Sequence, residues 1–119
     1  MMHRMFEIAK SASLMSNHPK YKIGAVLIRK GKPVGLGWNV MKSHPYVFTN
    51  GNHRMTLHAE LKAMISCKTK ADSIFVYRED YAGELAMARP CSMCIAALIE
   101  FGVRKIYYTI NGGVMMENL

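Results

Sequence analysis

Two short stretches carry the residues best suited to chemistry: Thr56-Leu57-His58-Ala59-Glu60 and Pro90-Cys91-Ser92-Met93-Cys94. Together they offer one imidazole, two thiols three residues apart and one carboxylate. That is the inventory of a three-ligand zinc site with a vacant fourth position and a nearby acid/base group. One imidazole with two thiolates is a soft to borderline donor set, which favours zinc over calcium, magnesium or manganese. The vacant position is expected to hold water, whose pKa a catalytic zinc brings to about 7.

The spacings set conditions on the elements that carry these groups. Cys91 and Cys94 fall on neighbouring positions of one helix face, at a helix N-terminus that helps keep both sulfurs ionised. Pro90 suits a sharp entry into that helix. His58 and Glu60 would point about 200° apart on a regular helix, so both can address one metal only if His58 sits at the helix mouth. Cys67 lies nine residues past His58, about 13 Å along a continuous helix and half a turn round. It is expected to be out of reach of the site, as a buried small apolar residue.

The remaining pattern is α/β. Met5, Ile8, Ala9, Ala12 and Met15 recur at helical spacing between His3 and Asn17, and Pro19 follows the run. Lys22 to Arg29 and Val34 to Trp38 read as an antiparallel hairpin turned by Lys30-Gly31-Lys32-Pro33. Its end, Gly35-Leu36-Gly37-Trp38-Asn39, leaves room for a close approach to the backbone. Val40 to Met55 reads as a long functional loop. Leu57 to Cys67 is a second helix with Leu61, Met64 and Ile65 inward, and Ser73 to Tyr77 is a third strand. A polar, Ala-rich connection runs from Arg78 to Arg89. The helix from Cys91 to Phe101 turns Ile95, Leu98, Ile99 and Phe101 to its apolar side and is capped by Gly102. Lys105 to Thr109 is a fourth strand, and Asn111-Gly112 predicts a hairpin into a fifth. Seven residues after Gly112 are too few for a crossover helix, so the fifth strand is expected to be antiparallel.

With 119 residues the expectation is one domain, residues 1–119, with a core large enough to need no disulfide scaffold. Three cysteines, two of them as Cys91-x-x-Cys94, suit a metal in a reducing, cytoplasmic setting. Arg4, Glu7 and Lys10 break the N-terminal segment, so no signal peptide or membrane span is expected. Lys and Arg outnumber Asp and Glu 16 to 8, a formal charge of +8 that favours anionic partners such as nucleotides and polynucleotides. The eleven methionines read as adaptable core filler.

The pattern His58-Ala59-Glu60 with Pro90-Cys91-x-x-Cys94 resembles the zinc-dependent cytidine and deoxycytidylate deaminase superfamily. The resemblance covers most of the chain: Ile23-Gly24-Ala25-Val26, Gly35-x-Gly37-Trp38-Asn39 and Gly102-Val103-Arg104-Lys105-Ile106 all fall where that family has them. It implies a three-layer α/β/α deaminase-like fold with a five-stranded mixed sheet, and zinc held by His58, Cys91 and Cys94. It implies that Glu60 takes a proton from water, passes it to the ring nitrogen and later helps ammonia leave. Such a role fits attack on an amidine-like carbon, which needs a hydroxide at neutral pH and a delivered proton. Asn39 matches a strand-end Asn that contacts sugar or base, and the Ala59 backbone matches the group that binds the base carbonyl. Homo-oligomers in which neighbours complete the pocket are implied by the same analogy.

Substrate readings stay open at this point. Arg54 matches an Arg common just ahead of the His motif in deoxycytidylate deaminases, and reads either as a phosphate contact or as a solvated loop residue. His44 and Phe48, with Tyr46, Asn52 and His53, read as loop contacts to base, sugar or phosphate, or as structural residues. His58 stands where the nucleoside deaminases generally have Cys, and Ala88-Arg89 before Pro90 also departs from relatives. The first reading is deamination of a cytosine nucleoside or nucleotide. The second is the same reaction on a base in single-stranded DNA or RNA, stacked on Trp38 or Phe48. The third is a zinc-stabilised nucleic-acid-binding module without catalysis.

Overall fold

A computed structural model describes residues 2–17, 21–41, 56–80 and 82–119. The elements run α1 (Met2–Ser13), β1 (Lys22–Arg29), β2 (Lys32–Trp38), β3 (Val40–Met41), β4 (Thr56–Leu57), α2 (Ala59–Ser66), β5 (Ser73–Glu79), α3 (Ser92–Phe101), β6 (Lys105–Ile110) and β7 (Gly113–Asn118). Five strands form one mixed sheet in the order β2-β1-β5-β6-β7. Only β5 and β6 are parallel, and the crossover between them is α3. The other three pairings are antiparallel, including the C-terminal hairpin β6–β7.

The sheet is buried on both faces, which accounts for the unbroken apolar runs of its inner strands. Alternation along β1 and β5 sends Ala25, Leu27, Ile74 and Val76 to one side, where they pack with Ala59 and Ala63 of α2 and Leu98 of α3. Val26, Ile28, Phe75 and Tyr77 go to the other side, against Met5 and Ala9 of α1. The layers are therefore α1, sheet, and α2 with α3.

Two glycines set how closely the layers approach. A Cβ on Gly24 would stand 1.9 Å from Ala9 O, and one on Gly37 would stand 2.2 Å from Ala59 O. The room predicted along Gly35-Leu36-Gly37 is thus filled by α2. Both hairpin turns use left-handed backbone: Lys30 (φ 50°) with Gly31 (φ 77°), and Gly112 (φ 76°). Pro33 is accommodated because β2 is an edge strand.

Several sequence expectations shift. The first helix ends at Ser13 rather than Asn17, with the Ser13 hydroxyl donating to Lys10 O, and Met15 is left exposed instead of continuing the stripe. α2 begins at Ala59, because Leu57 pairs with Val40 in a two-residue ladder that no periodicity announces. Ile65 and Ile99 are about half exposed, at 50% and 53%. On α2 the sheet-facing positions belong to the small residues Ala59 and Ala63, which fit over glycine. The connection after β5 is held by its own bonds: Asp80 Oδ1 accepts from the amides of Ala82 and Glu84, and Ala86 N donates to Arg78 O. Gly102 caps α3 as expected, with φ 102° and its amide on Ile99 O.

Candidate metal centre and active site

α2 and α3 are both preceded by a residue whose side chain can bind a metal. His58 and Cys91 are the N-cap residues, each with extended backbone (φ −69°, ψ 146° and φ −69°, ψ 165°), and neither side chain caps its own helix. A capping Ser, Thr, Asp or Asn at such a position contributes about 1 kcal/mol, so stability is given up here for a functional group. Because His58 precedes the helix, the opposition between positions i and i+2 does not apply, and His58 and Glu60 reach the same place.

His58 Nδ1 lies 3.4 Å from Cys94 Sγ and 3.8 Å from Cys91 Sγ, and the three donor atoms lie within 4.8 Å of one another. Tetrahedral zinc, with Zn–S about 2.3 Å and Zn–N about 2.0–2.1 Å, requires N···S separations of about 3.5 Å. The donor set and its spacing fit zinc. Two helix N-termini, each with partial positive charge, converge on these anionic ligands.

The electrostatics follow from burial and from shared protons. Cys91 is held down to about 3, first by the hydrogen bond it accepts from the Cys94 thiol and then by His58. Cys94, the donor in that bond and buried, is pushed up. A cation held by Cys91, Cys94 and His58 would replace the shared proton and keep both thiols ionised. Glu60 is buried, and desolvation raises its carboxyl above the usual range against the opposing pull of its own amide, His58 and the Cys94 thiol. It is a carboxyl that can hold or release a proton beside the metal ligands.

The other sequence-predicted residues are distributed as follows. Ala59 is the first residue of α2 and buried, and an amide at that position has no acceptor within its own helix. Asn39 is buried at the end of β2. Its Oδ1 accepts from Ile23 N and its Nδ2 donates to Tyr21 O, both at 2.9 Å, which among the described residues leaves one N–H and one lone pair on the amide. The Val40–Leu57 pair has Asn39 next to one member and His58 next to the other, at the same end of that short ladder. Arg54, His44 and Phe48 lie outside the described residues. Cys67 is away from the metal cluster, but it is half-buried rather than buried, since α2 stops at Ser66 and the Cys67 thiol donates to Thr69 O at 2.9 Å. Trp38 has the Lys62 ammonium over its ring at 4.6 Å.

Sequence reasoning missed two supports of the cysteine segment. Thr109, buried in β6, accepts from Arg78 N and donates to Ala86 O, while its carbonyl accepts from Ala88 N at 2.9 Å. Arg89, next to Pro90, makes a two-pronged pair with Glu117 of β7 at 2.6 and 3.1 Å, and the Tyr108 hydroxyl donates to the same carboxylate. The hydroxyl within the apolar run Lys105-Ile106-Tyr107-Tyr108-Thr109-Ile110 was a signal for the first. The separation of 28 positions from Arg89 to Glu117 hid the second.

A three-layer α/β/α domain with a His/Cys/Cys cation site at two converging helix N-termini defines a zinc-binding α/β protein. Residues 1–110 match the family model described as cytidine and deoxycytidylate deaminase zinc-binding region, and the chain belongs to that family. A probable deoxycytidylate deaminase of Caenorhabditis elegans is 29% identical over an alignment 120 residues long, gaps included, that covers 91% of this chain and 56% of the relative. The chain thus spans little more than half the length of that relative. Among solved structures, a cytidine deaminase from Burkholderia pseudomallei superposes with a TM-score of 0.70 at 23% identity, covering 99% of this chain and 92% of the other. The apo dCMP deaminase of the cyanophage S-TIM5 gives 0.66 at 24% identity, covering 90% and 80%. These likenesses establish the mixed-sheet fold expected from the sequence.

Proposed function

We propose that this protein hydrolytically deaminates a cytosine nucleoside or nucleotide, forming the uracil product and ammonia. The observation that carries this reading is the buried Glu60 carboxyl packed against the His58–Cys91–Cys94 cluster through the Cys94 thiol. Zinc held by these three side chains supplies Lewis acidity, which brings the pKa of water to about 7. Glu60 accepts a proton from water as it adds to the ring carbon and delivers it to the adjacent ring nitrogen; it then takes the proton of the new hydroxyl and passes it to the departing amine, which leaves as ammonia while the hydroxyl becomes the carbonyl of the uracil product. The Ala59 amide donates to the base carbonyl. Asn39 uses its remaining N–H and lone pair on the sugar, held in place by Tyr21 and Ile23.

Two further features belong to this reading. α3 is apolar on nearly all sides, yet only Cys94 and Leu98 are buried, and Ile99 is exposed. A helix with that composition is normally covered all round, which supports a homo-oligomer. Three free thiols support a reducing, cytoplasmic setting. Among the described residues no helix is long and apolar enough to cross a membrane. The reading of a base in single-stranded nucleic acid gains nothing from Trp38, one face of which is taken by Lys62.

Ammonia release from cytidine, deoxycytidine, their monophosphates, adenosine, guanine and single-stranded oligonucleotides tests the proposal. Turnover of the cytosine nucleosides or mononucleotides is expected. Turnover confined to oligonucleotides, or none on the whole panel with nucleic-acid binding that survives Glu60→Ala, would overturn it.

A further inference from the structure

Arg78 closes β5 on the sheet face that carries the metal centre. Alternation along β5 sends Ile74 and Val76 under α2 and α3, and Arg78, two residues on, shares that face. A continuous set of pairings joins it to the site. Ile23 stands opposite Arg78, Asn39 bonds Ile23 through both backbone and side chain, and Asn39 and His58 adjoin the same Val40–Leu57 pair. Arg78 and Asn39 are therefore two strand spacings apart, about 10 Å.

The guanidinium is held without being neutralised. Its Cζ lies over the Tyr21 ring, 4.6 Å from the centroid, a cation–π contact that anchors the guanidinium without using its N–H donors. Nη1 donates to Met87 O at 3.2 Å. Among the described residues this is its one hydrogen bond from five N–H donors, and no carboxylate there pairs with it. Among the described residues Nε has no acceptor and is shut off from solvent, so the outer Nη atoms are the ones left to meet a ligand.

We infer that Arg78 is a specificity-determining residue that binds the 5′-phosphate of a cytosine mononucleotide whose base lies at the metal centre. The inference rests on the deaminase reading above and selects the nucleotide over the nucleoside. A planar, permanently charged fork matches phosphate oxygens, and a neutral nucleoside offers it no partner.

The test compares zinc-loaded wild type, Arg78→Ala and Arg78→Lys on deoxycytidine monophosphate and on deoxycytidine. Arg78→Ala should lower kcat/KM for the monophosphate about 10- to 100-fold, mainly through KM, and by at least about 10-fold more than for deoxycytidine, with partial recovery in Arg78→Lys. Inorganic phosphate should compete with the monophosphate in wild type and much less in Arg78→Ala. Equal losses on both substrates, or no loss on either, would overturn the inference. Calorimetric binding of deoxycytidine monophosphate to the same proteins requires no turnover. A wild type that releases no ammonia but binds the monophosphate through Arg78 would sink the deaminase reading alone, whereas binding indifferent to Arg78→Ala would sink this one.

Discussion

Replacing Gly37 by Ala tests whether the seating of α2 on β2 positions the metal ligands. A Cβ at Gly37 would stand 2.2 Å from Ala59 O and 2.3 Å from Ala63 N, where ordinary contact begins at 3.4 Å. Both obstacles are backbone atoms and cannot rotate aside. The first turn of α2 must therefore lift by about 1 Å, carrying Glu60 and the adjoining His58 with it. Overpacking of this kind costs about 1–3 kcal/mol, or roughly 10 °C in Tm at the upper end for a domain of this size. Displaced ligands should weaken zinc binding about 10- to 100-fold, as loss of ligand support does elsewhere. Thermal melting of the metal-free protein and chelator competition for zinc separate the two effects. Gly113→Ala is the control, because its Cβ would meet nothing closer than 3.8 Å. A Gly37→Ala protein with the melting point and zinc affinity of wild type would refute the reasoning.

Four other expectations follow from the same geometry. Cys91→Ala and Cys94→Ala should each abolish stoichiometric zinc binding, measured as metal content after dialysis. Cys67→Ser should leave metal content unchanged, and zinc loss there would reopen a structural four-ligand site. Glu60→Gln should keep the metal while ammonia release falls at least about 10²-fold; full activity would remove Glu60 from the chemistry. Glu117 is lowered from 4.5 to about 2 by Arg89 and Tyr108, so its stabilisation is present above pH 4.5 and is lost as pH falls toward 2. The Tm difference between wild type and Glu117→Gln should accordingly be constant above about pH 5 and shrink in acid, and a difference that grew in acid would contradict the pairing.

The chemistry of this chain was more legible than its packing. His58, Glu60, Cys91 and Cys94 announce themselves by type and spacing, and Gly102 and Asn111-Gly112 end elements by local backbone preference alone. The antiparallel β7 follows from the Asn111-Gly112 turn, a local hairpin signal. Ile65, Ile99 and Met15 misled because periodicity locates an apolar stripe without saying where a helix stops or whether small residues occupy the contact. β3 and β4 contribute two residues each, too few to alternate visibly. Arg78, Thr109 and the Arg89–Glu117 pair were invisible for a further reason: their roles come from neighbours brought together by the sheet order, which no local pattern encodes.

The central claim is that three protein donors hold zinc and leave one coordination position for chemistry. X-ray absorption at the zinc edge of the purified, metal-loaded protein measures this directly. Two sulfurs at about 2.3 Å with a nitrogen/oxygen shell at about 2.0–2.1 Å are expected, and the sulfur count should be unchanged in Cys67→Ser. A third sulfur at the metal, or a protein that cannot be loaded with one equivalent of zinc, would contradict the account.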